Sequence, residues 1–457
     1  MMDAGCIDRV LDLSAAWKAA AEVFPYFEER GIDWDSVYGE YLPLVLSASS
    51  EREFNLLMSE FLNRLGDGHT DYRFPDKLIR ETGFLPFHLC YLEKEWYLME
   101  VPAGRGEFLL AKITGVNGEK VSDFLERCLR YIYHIGNYAN PGKLEEIMPF
   151  LLLKEGNELE TSCGIFRFDL VPEMPELVGV KKISQRSDYS GGGALSDSTK
   201  GLEKDIKYQK ISDKKISFCV YDSNVLYIRM DSFLYSGVAE EISSVLSDFH
   251  SISGVILDVR KNIGGMTVYA AEVAELFIPG EFSGSMKKTR QMKGIDLSSG
   301  SQYAKMGDER INRSIKEGFC NAEEIDRCLR TYKNMYYHEY RDSFGKPGQQ
   351  EMFKGKVILL TSRETISAAE DFTAMFKSTH RALIIGSPTF GSTGTPFLKR
   401  LRLGGSFRIC SVGYRLLDGT EFIGRGIMPD ILLEESAEDF ANGRDVVLDR
   451  ALKEILV

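Results

Sequence analysis

The sequence predicts an α/β protein in which a parallel sheet with crossover helices follows a helical N-terminal segment. Three observations carry that prediction. Short apolar runs at residues 225–230, 254–259, 356–361 and 382–386 read as buried strands. Helical stretches at 269–277 and 368–377 fall between them, and this alternation implies parallel strands joined by helices. Nearer the N-terminus, Phe54, Leu57, Met58, Phe61, Leu62 and Leu65 recur every three or four residues, which places them on one face of a helix over 51–65.

The remaining segments follow in order. Gly66-Asp67-Gly68 stops that helix and turns the chain before His69. Residues 84–91 and 95–101 read as strands around the charged connection Glu93-Lys94-Glu95. A further apolar run at 109–113, a turn at 116–119 and a helix beginning near Val121 come next. Residues 184–215 are polar and partly Gly/Ser-rich, and such composition buries too little apolar area to order itself, so a linker or surface loop is expected. Residues 281–350 break the strand–helix rhythm and read as an inserted cap or a set of long loops. The expected divisions are a helical domain at 1–75 carrying His69, a middle region at 76–183, the linker, and an α/β domain at 216–457.

A chain of 457 residues is too long for one small core. Its net charge of −12 argues against nucleic acid, whose partners present a basic face, and against broad contact with an anionic membrane. Eight cysteines are scattered without C-x-x-C spacing, which argues against a zinc site, and a dense disulfide scaffold is not expected in a chain this long. The first ten residues lack a basic stretch followed by an apolar run, and no window is long enough to span a bilayer. A cytoplasmic location is therefore expected, and a secreted or cell-envelope location stays open for a chain whose leader has been removed.

Three segments carry candidate chemistry. Ser367 follows a predicted buried strand and opens a predicted helix, where active sites of open α/β folds gather. The amide of Ala368 would then lie in the first helical turn, facing a developing oxyanion. The plain alternative makes Ser367 an N-cap, with Glu370 three residues on completing a capping box. The second segment, Asp258-Val259-Arg260-Lys261-Asn262-Ile263-Gly264-Gly265, ends a strand in a polar turn with paired glycines that let a substrate backbone approach and free an amide. The third is Gly66-Asp67-Gly68-His69-Thr70, where a histidine on a glycine-flanked loop has a pKa suited to a general base.

Together these segments resemble the C-terminal-processing and tricorn-type serine peptidase family, also called the tail-specific protease superfamily. The pattern L-D-L-R-x-N-x-G-G is matched by residues 257–265, S-A-x-E by 367–370, and G-x-G-I-x-P-D by 424–430. Phe24-Pro25-Tyr26-Phe27 and Gly31-Ile32-Asp33-Trp34 are similar to the helical region that precedes D-G-H-T in one branch. Ile113-Thr114-Gly115-Val116-Asn117-Gly118 looks like part of a PDZ-type module. The resemblance implies a crotonase/ClpP-like ββα core, a PDZ-like middle region, and no metal or cofactor. It implies Ser367 as nucleophile, Gly264 and Ala368 as the oxyanion hole, and Asn262, Gly265, Gly391 and Ser392 around the substrate.

One departure sets the mechanism. Processing proteases carry a base lysine in T-F-G-K-G, whereas this chain reads Thr389-Phe390-Gly391-Ser392-Thr393-Gly394. A serine hydroxyl has too high a pKa to replace it. The tricorn-like branch supplies a histidine instead, matched by His69, although Gly68 stands where tricorn has a serine. Glu421 is the nearest orienting carboxylate and Asp67 its competitor. The implied activity is hydrolysis of peptides or unstructured protein tails, gripped through strand addition. Rival readings are a non-catalytic ligand- or peptide-binding protein on this fold, a crotonase-type acyl-CoA enzyme, and a peptide-recognition scaffold using the PDZ-like region alone. The oligomeric state is not indicated.

Overall fold

The computed structural model describes residues 4–179, 209–210, 216–221, 224–249, 252–290, 294–316, 321–333 and 337–456. The linker expected at 184–215 lies outside them except for residues 209 and 210. Val225–Met230, Gly254–Asp258, Lys356–Thr361 and Leu383–Gly386 lie side by side in parallel. Ile216–Tyr221 adds antiparallel on one side and Ile431–Leu432 parallel on the other, within a seven-stranded sheet. Both faces are covered, which is why these strands are continuously apolar rather than alternating. Val255, Leu257, Val357 and Leu359 pack under the helices Val238–Asp248, Thr267–Glu275 and Ala368–Thr379. Their neighbours Ile256, Ile358 and Leu360 point the other way, against the C-terminal helix Val446–Leu456. Each such side chain contributes about 1.5–3 kcal/mol of burial.

The helical segment and the middle region, expected to part at residue 75, instead share one hydrophobic core. Trp34 stacks on Phe61 at 4.4 Å and Phe74 on Phe150 at 4.3 Å within it. Phe407, Ile409 and Cys410, from near the other end of the chain, belong to the same core. They are there because Asp71–Arg73 pairs antiparallel with Ser406–Cys410. Arg408 clamps Asp71 across that pairing with two hydrogen bonds of 2.8 Å. This strand pair starts two residues after His69, so it ties the histidine loop to the α/β half.

Within 281–350 the described residues include strands and helices and are not a set of long loops alone. Ser285–Arg290 pairs with Tyr337–Tyr340 and with Gly413–Leu416, and the helices Gly294–Met306, Asp308–Lys316 and Ala322–Tyr332 lie between the first two strands in sequence. The insertion props the N-terminal helices: Arg330 pairs with Glu28 at 3.1 Å, and Arg290 lies over the Phe27 ring.

Phe372 is fully buried, with ring centroids 4.8 Å from Phe376 and 5.3 Å from Phe233. Phe372→Ala is expected to lower the unfolding free energy by about 3–5 kcal/mol, measured by urea denaturation. A change under about 1 kcal/mol would show that the helix Ala368–Thr379 is not packed as described.

Candidate active site

Ser367 joins the strand Lys356–Thr361 to the helix Ala368–Thr379 and does not cap that helix. Its backbone has φ 62° and ψ −128°, and its side chain makes no capping hydrogen bond. A non-glycine residue in this region carries about 1–3 kcal/mol of strain, held only where the surroundings over-determine it. They do so here. The Ser367 N–H donates to the Ser392 carbonyl at 3.1 Å, and the Ile366 N–H to the Asn262 carbonyl at 3.1 Å. Thr365 Oγ1 donates to the Val259 carbonyl at 3.0 Å.

The His69 ring lies between two serines. Its Nε2 is 3.2 Å from Ser367 Oγ and its Nδ1 is 2.6 Å from Ser392 Oγ. The ring is almost fully buried. Burial, with help from the charge of Arg408, lowers its pKa to about 3, so the imidazole is neutral. Its backbone N–H donates to Asp67 Oδ1 at 2.8 Å.

Glu370, fully buried, anchors the loop that carries Ser392. It accepts hydrogen bonds from Thr389 Oγ1 at 2.5 Å and from the amides of Gly391 and Ser392, both at 2.7 Å. Burial raises its pKa to about 7 against the pull of those three donors. The S-A-x-E spacing read as a capping box therefore has another use. The carboxylate turns away from the helix end and into the Thr389–Ser392 loop, because Ser367 is in a conformation that cannot cap.

The other expected site residues are placed unevenly. The Cα of Gly264 abuts Ser367: a Cβ built there would lie 2.5 Å from the Ser367 Cβ and 3.0 Å from the Ala368 nitrogen. Its N–H, however, donates to Asn262 Oδ1 at 2.9 Å and is not free to face an oxyanion. The Ala368 amide makes no hydrogen bond among the described residues. Asn262 is buried, with Nδ2 on the Met230 carbonyl at 3.1 Å, so both ends of its amide face inward and not toward a substrate. Gly391 is buried too, its amide held by Glu370 and its carbonyl accepting from the Gly424 N–H. Ser392 faces His69 rather than open space. Gly265 is half-buried, and its φ of 145° and the Phe233 carbonyl, 2.1 Å from a built Cβ, leave room for no other residue.

Neither expected carboxylate reaches the ring. Glu421 is exposed beside Lys288, lining a small pocket with Tyr26 and Glu29. Asp67 is buried but grips backbone and hydroxyl, through the His69 N–H and Thr70 Oγ1, not the imidazole. Two features escaped the sequence: Ser392 as the partner of Nδ1, and Glu370 as the anchor behind it. The only trace of the second was the spacing of Glu370 from Ser367.

Ser362, Arg363 and Glu364, which lead into Ser367, line a cleft of about 740 Å³ whose opposite wall is the strand His88–Leu92. The insertion contributes nothing to that lining.

Comparison with known proteins gives matches over most of the chain. Residues 224–433 match the model of peptidase family S41, and residues 11–63 that of the tricorn protease C1 domain. A carboxy-terminal-processing protease of Bartonella bacilliformis is 23% identical over 257 residues, 54% of this chain and 48% of that protein. A probable CtpA-like serine protease of Staphylococcus epidermidis is 24% identical over 234 residues, 50% of this chain and 38% of that protein. The chain thus spans less than half the length of these curated relatives. Mature CPAF complexed with lactacystin shares the fold with a TM-score of 0.66 at 14% identity, over 99% of this chain and 98% of that one. A putative peptidase from Parabacteroides merdae does so with a TM-score of 0.53 at 17% identity, over 100% and 98%. The matches are thus to a peptidase family S41 domain over residues 224–433 and to a tricorn C1-type segment over residues 11–63.

Proposed function

We propose that this chain is a serine peptidase that hydrolyses bonds in peptides or unstructured protein tails, with Ser367 as nucleophile and His69 as base. The observation that supports it best is the approach of His69 Nε2 to 3.2 Å from Ser367 Oγ, across 298 residues of sequence. With the proton on Nδ1 and donated to Ser392 Oγ, the Nε2 lone pair faces the Ser367 hydroxyl, the tautomer a base requires. Ser367 Oγ attacks the peptide carbonyl as His69 takes its proton. The oxyanion is held by the Ala368 amide and by a second amide of the Gly264–Gly265 turn, Gly264 qualifying only if it leaves Asn262. His69 then protonates the leaving amine, and water, deprotonated by the same ring, hydrolyses the acyl-enzyme. Glu370 acts from behind as a positioning residue, through Ser392. On this reading the sheet core is crotonase/ClpP-like within a unit at 216–457, and residues 76–183 form a PDZ-like region.

A fluorophosphonate probe is expected to label the wild-type protein at Ser367. If the wild type reacts no faster than Ser367→Ala, the peptidase reading fails. Peptide turnover is expected to fall more than about a thousandfold in either Ser367→Ala or His69→Ala, since members of such a unit fail together.

Ser392→Ala leaves a buried Nδ1–H without its acceptor, at a cost of about 1–3 kcal/mol, or roughly ten- to a hundredfold in kcat with KM little changed. Equal loss in KM would point to substrate contact instead.

Because burial and Arg408 disfavour the imidazolium, the His69 ring is expected to stay neutral from pH 8 down to about pH 5. The ¹⁵N shifts of its ring nitrogens report this directly, and protonation near pH 6.5 would contradict it.

A further inference from the structure

Among the described residues, the strand His88–Leu92 is the edge of a three-stranded sheet and pairs only with Glu95–Pro102. Its free side looks into the 740 Å³ cleft. The helix Pro141–Ile147 runs alongside, so strand edge and helix form a groove of the kind to which an extended peptide adds as another strand. Arg260, Lys261 and Glu364 line the same cleft across from the strand, and Ser367 itself is not among its lining residues.

A groove that reads a chain terminus needs free N–H groups or an unpaired cation for the terminal carboxylate. In this groove a carboxylate is already present. Glu145 reaches from the helix to the strand edge, where Oε1 accepts the Leu89 N–H at 2.7 Å and Oε2 lies 2.7 Å from His88 Nδ1. Lys94 lies in the turn past the far end of the strand from Leu89, and the cations of the opposite wall, Arg229 on Asp231 among them, are engaged as well. Arg260 is held by Asp258 and Asp445, Lys261 by Glu364, and Arg363 by Glu434. A second carboxylate arriving at Leu89 finds its N–H already taken by Glu145 and meets a like charge at hydrogen-bonding range. Beyond Leu89, strand alternation turns the N–H and C=O of Tyr91 to the same free edge.

We propose that Glu145 is a built-in occupant of the terminal-carboxylate position, so that the groove takes internal, extended segments of a substrate chain through the main chain of Tyr91. This deepens the peptidase reading, on which the word substrate rests, but peptide binding is measured without turnover. The ligand class is an unstructured peptide whose recognition is indifferent to a free C-terminus. The selectivity comes from a repulsive element rather than from an added contact.

The test uses the full chain with Ser367→Ala and fluorescein-labelled unstructured decapeptides, each made as free acid and as C-terminal amide, with Kd read by fluorescence anisotropy. Acid and amide are expected to bind within about threefold of each other. Glu145→Ala is expected to shift preference at least tenfold toward the acid, and Glu145→Gln, which keeps the packing, in the same direction. Tyr91→Pro, which removes an edge N–H, is expected to weaken both forms at least tenfold while circular dichroism is unchanged. A tenfold preference of the parent for the acid, no shift in either Glu145 variant, or no peptide binding overturns the proposal. Fluorophosphonate labelling of the chain with Ser367 intact separates the two readings. Labelling with acid-only binding sinks the groove proposal alone, whereas binding of both forms without labelling sinks the peptidase reading alone.

Discussion

The three hydrogen bonds gathered by the buried Glu370 carboxylate are the constraint on which the candidate site depends. Two of them fix the amides of Gly391 and Ser392, and the third holds Thr389. With that loop fixed, Ser392 acts in two directions. Its carbonyl takes the Ser367 N–H and its hydroxyl meets His69 Nδ1. A buried carboxylate without such donors would be costly in this interior, and the loop without the carboxylate would leave buried amides unsatisfied. Each therefore stabilises the other, and the strained backbone of Ser367 rests on both.

A second constraint brings the histidine across. His69 and Ser367 stand far apart in sequence, and no local propensity joins them. The join is made by the pairing of Asp71–Arg73 with Ser406–Cys410, reinforced by Arg408 on Asp71. Because Phe407, Ile409 and Cys410 sit in the same core as the N-terminal helices, the two halves are not free to part around the site. The same Arg408, close to the ring, adds to burial in keeping His69 neutral. The strand pair that positions the imidazole thus helps to set its charge.

Much of the α/β half was legible because buried strands and amphipathic helices leave periodic marks. The strands at 225–230 and 356–361 were found to the residue, and the helix expected at 51–65 runs over Glu51–Asn63. The strands and helices within the insertion expected at 281–350 were not legible because Ser285–Arg290 finds its partners at 337–340 and 413–416, far along the chain and in short polar strands. The boundary expected at residue 75 falls within a shared core, which leaves no compositional break to mark it. Within the site, Ser367 and His69 were visible through motifs. Glu421 was chosen by proximity to a motif and stands exposed, and Gly264 was named for an amide that the side chain of Asn262 already holds.

By itself the sequence determined which residue types were on hand: a serine after a buried strand, a histidine between glycine-flanked turns, paired glycines, and a serine where a lysine was expected. Those are covalent facts, and the local periodicities that place them on strands and turns are short-range. Only the tertiary structure decided which of them meet. Hydrogen-bond partners depend on side-chain direction and on distances across hundreds of residues. Whether Glu370 caps a helix or anchors a loop was set by the positive φ of Ser367, and whether Glu145 is a surface charge or the occupant of a groove by the packing of one helix against one strand edge.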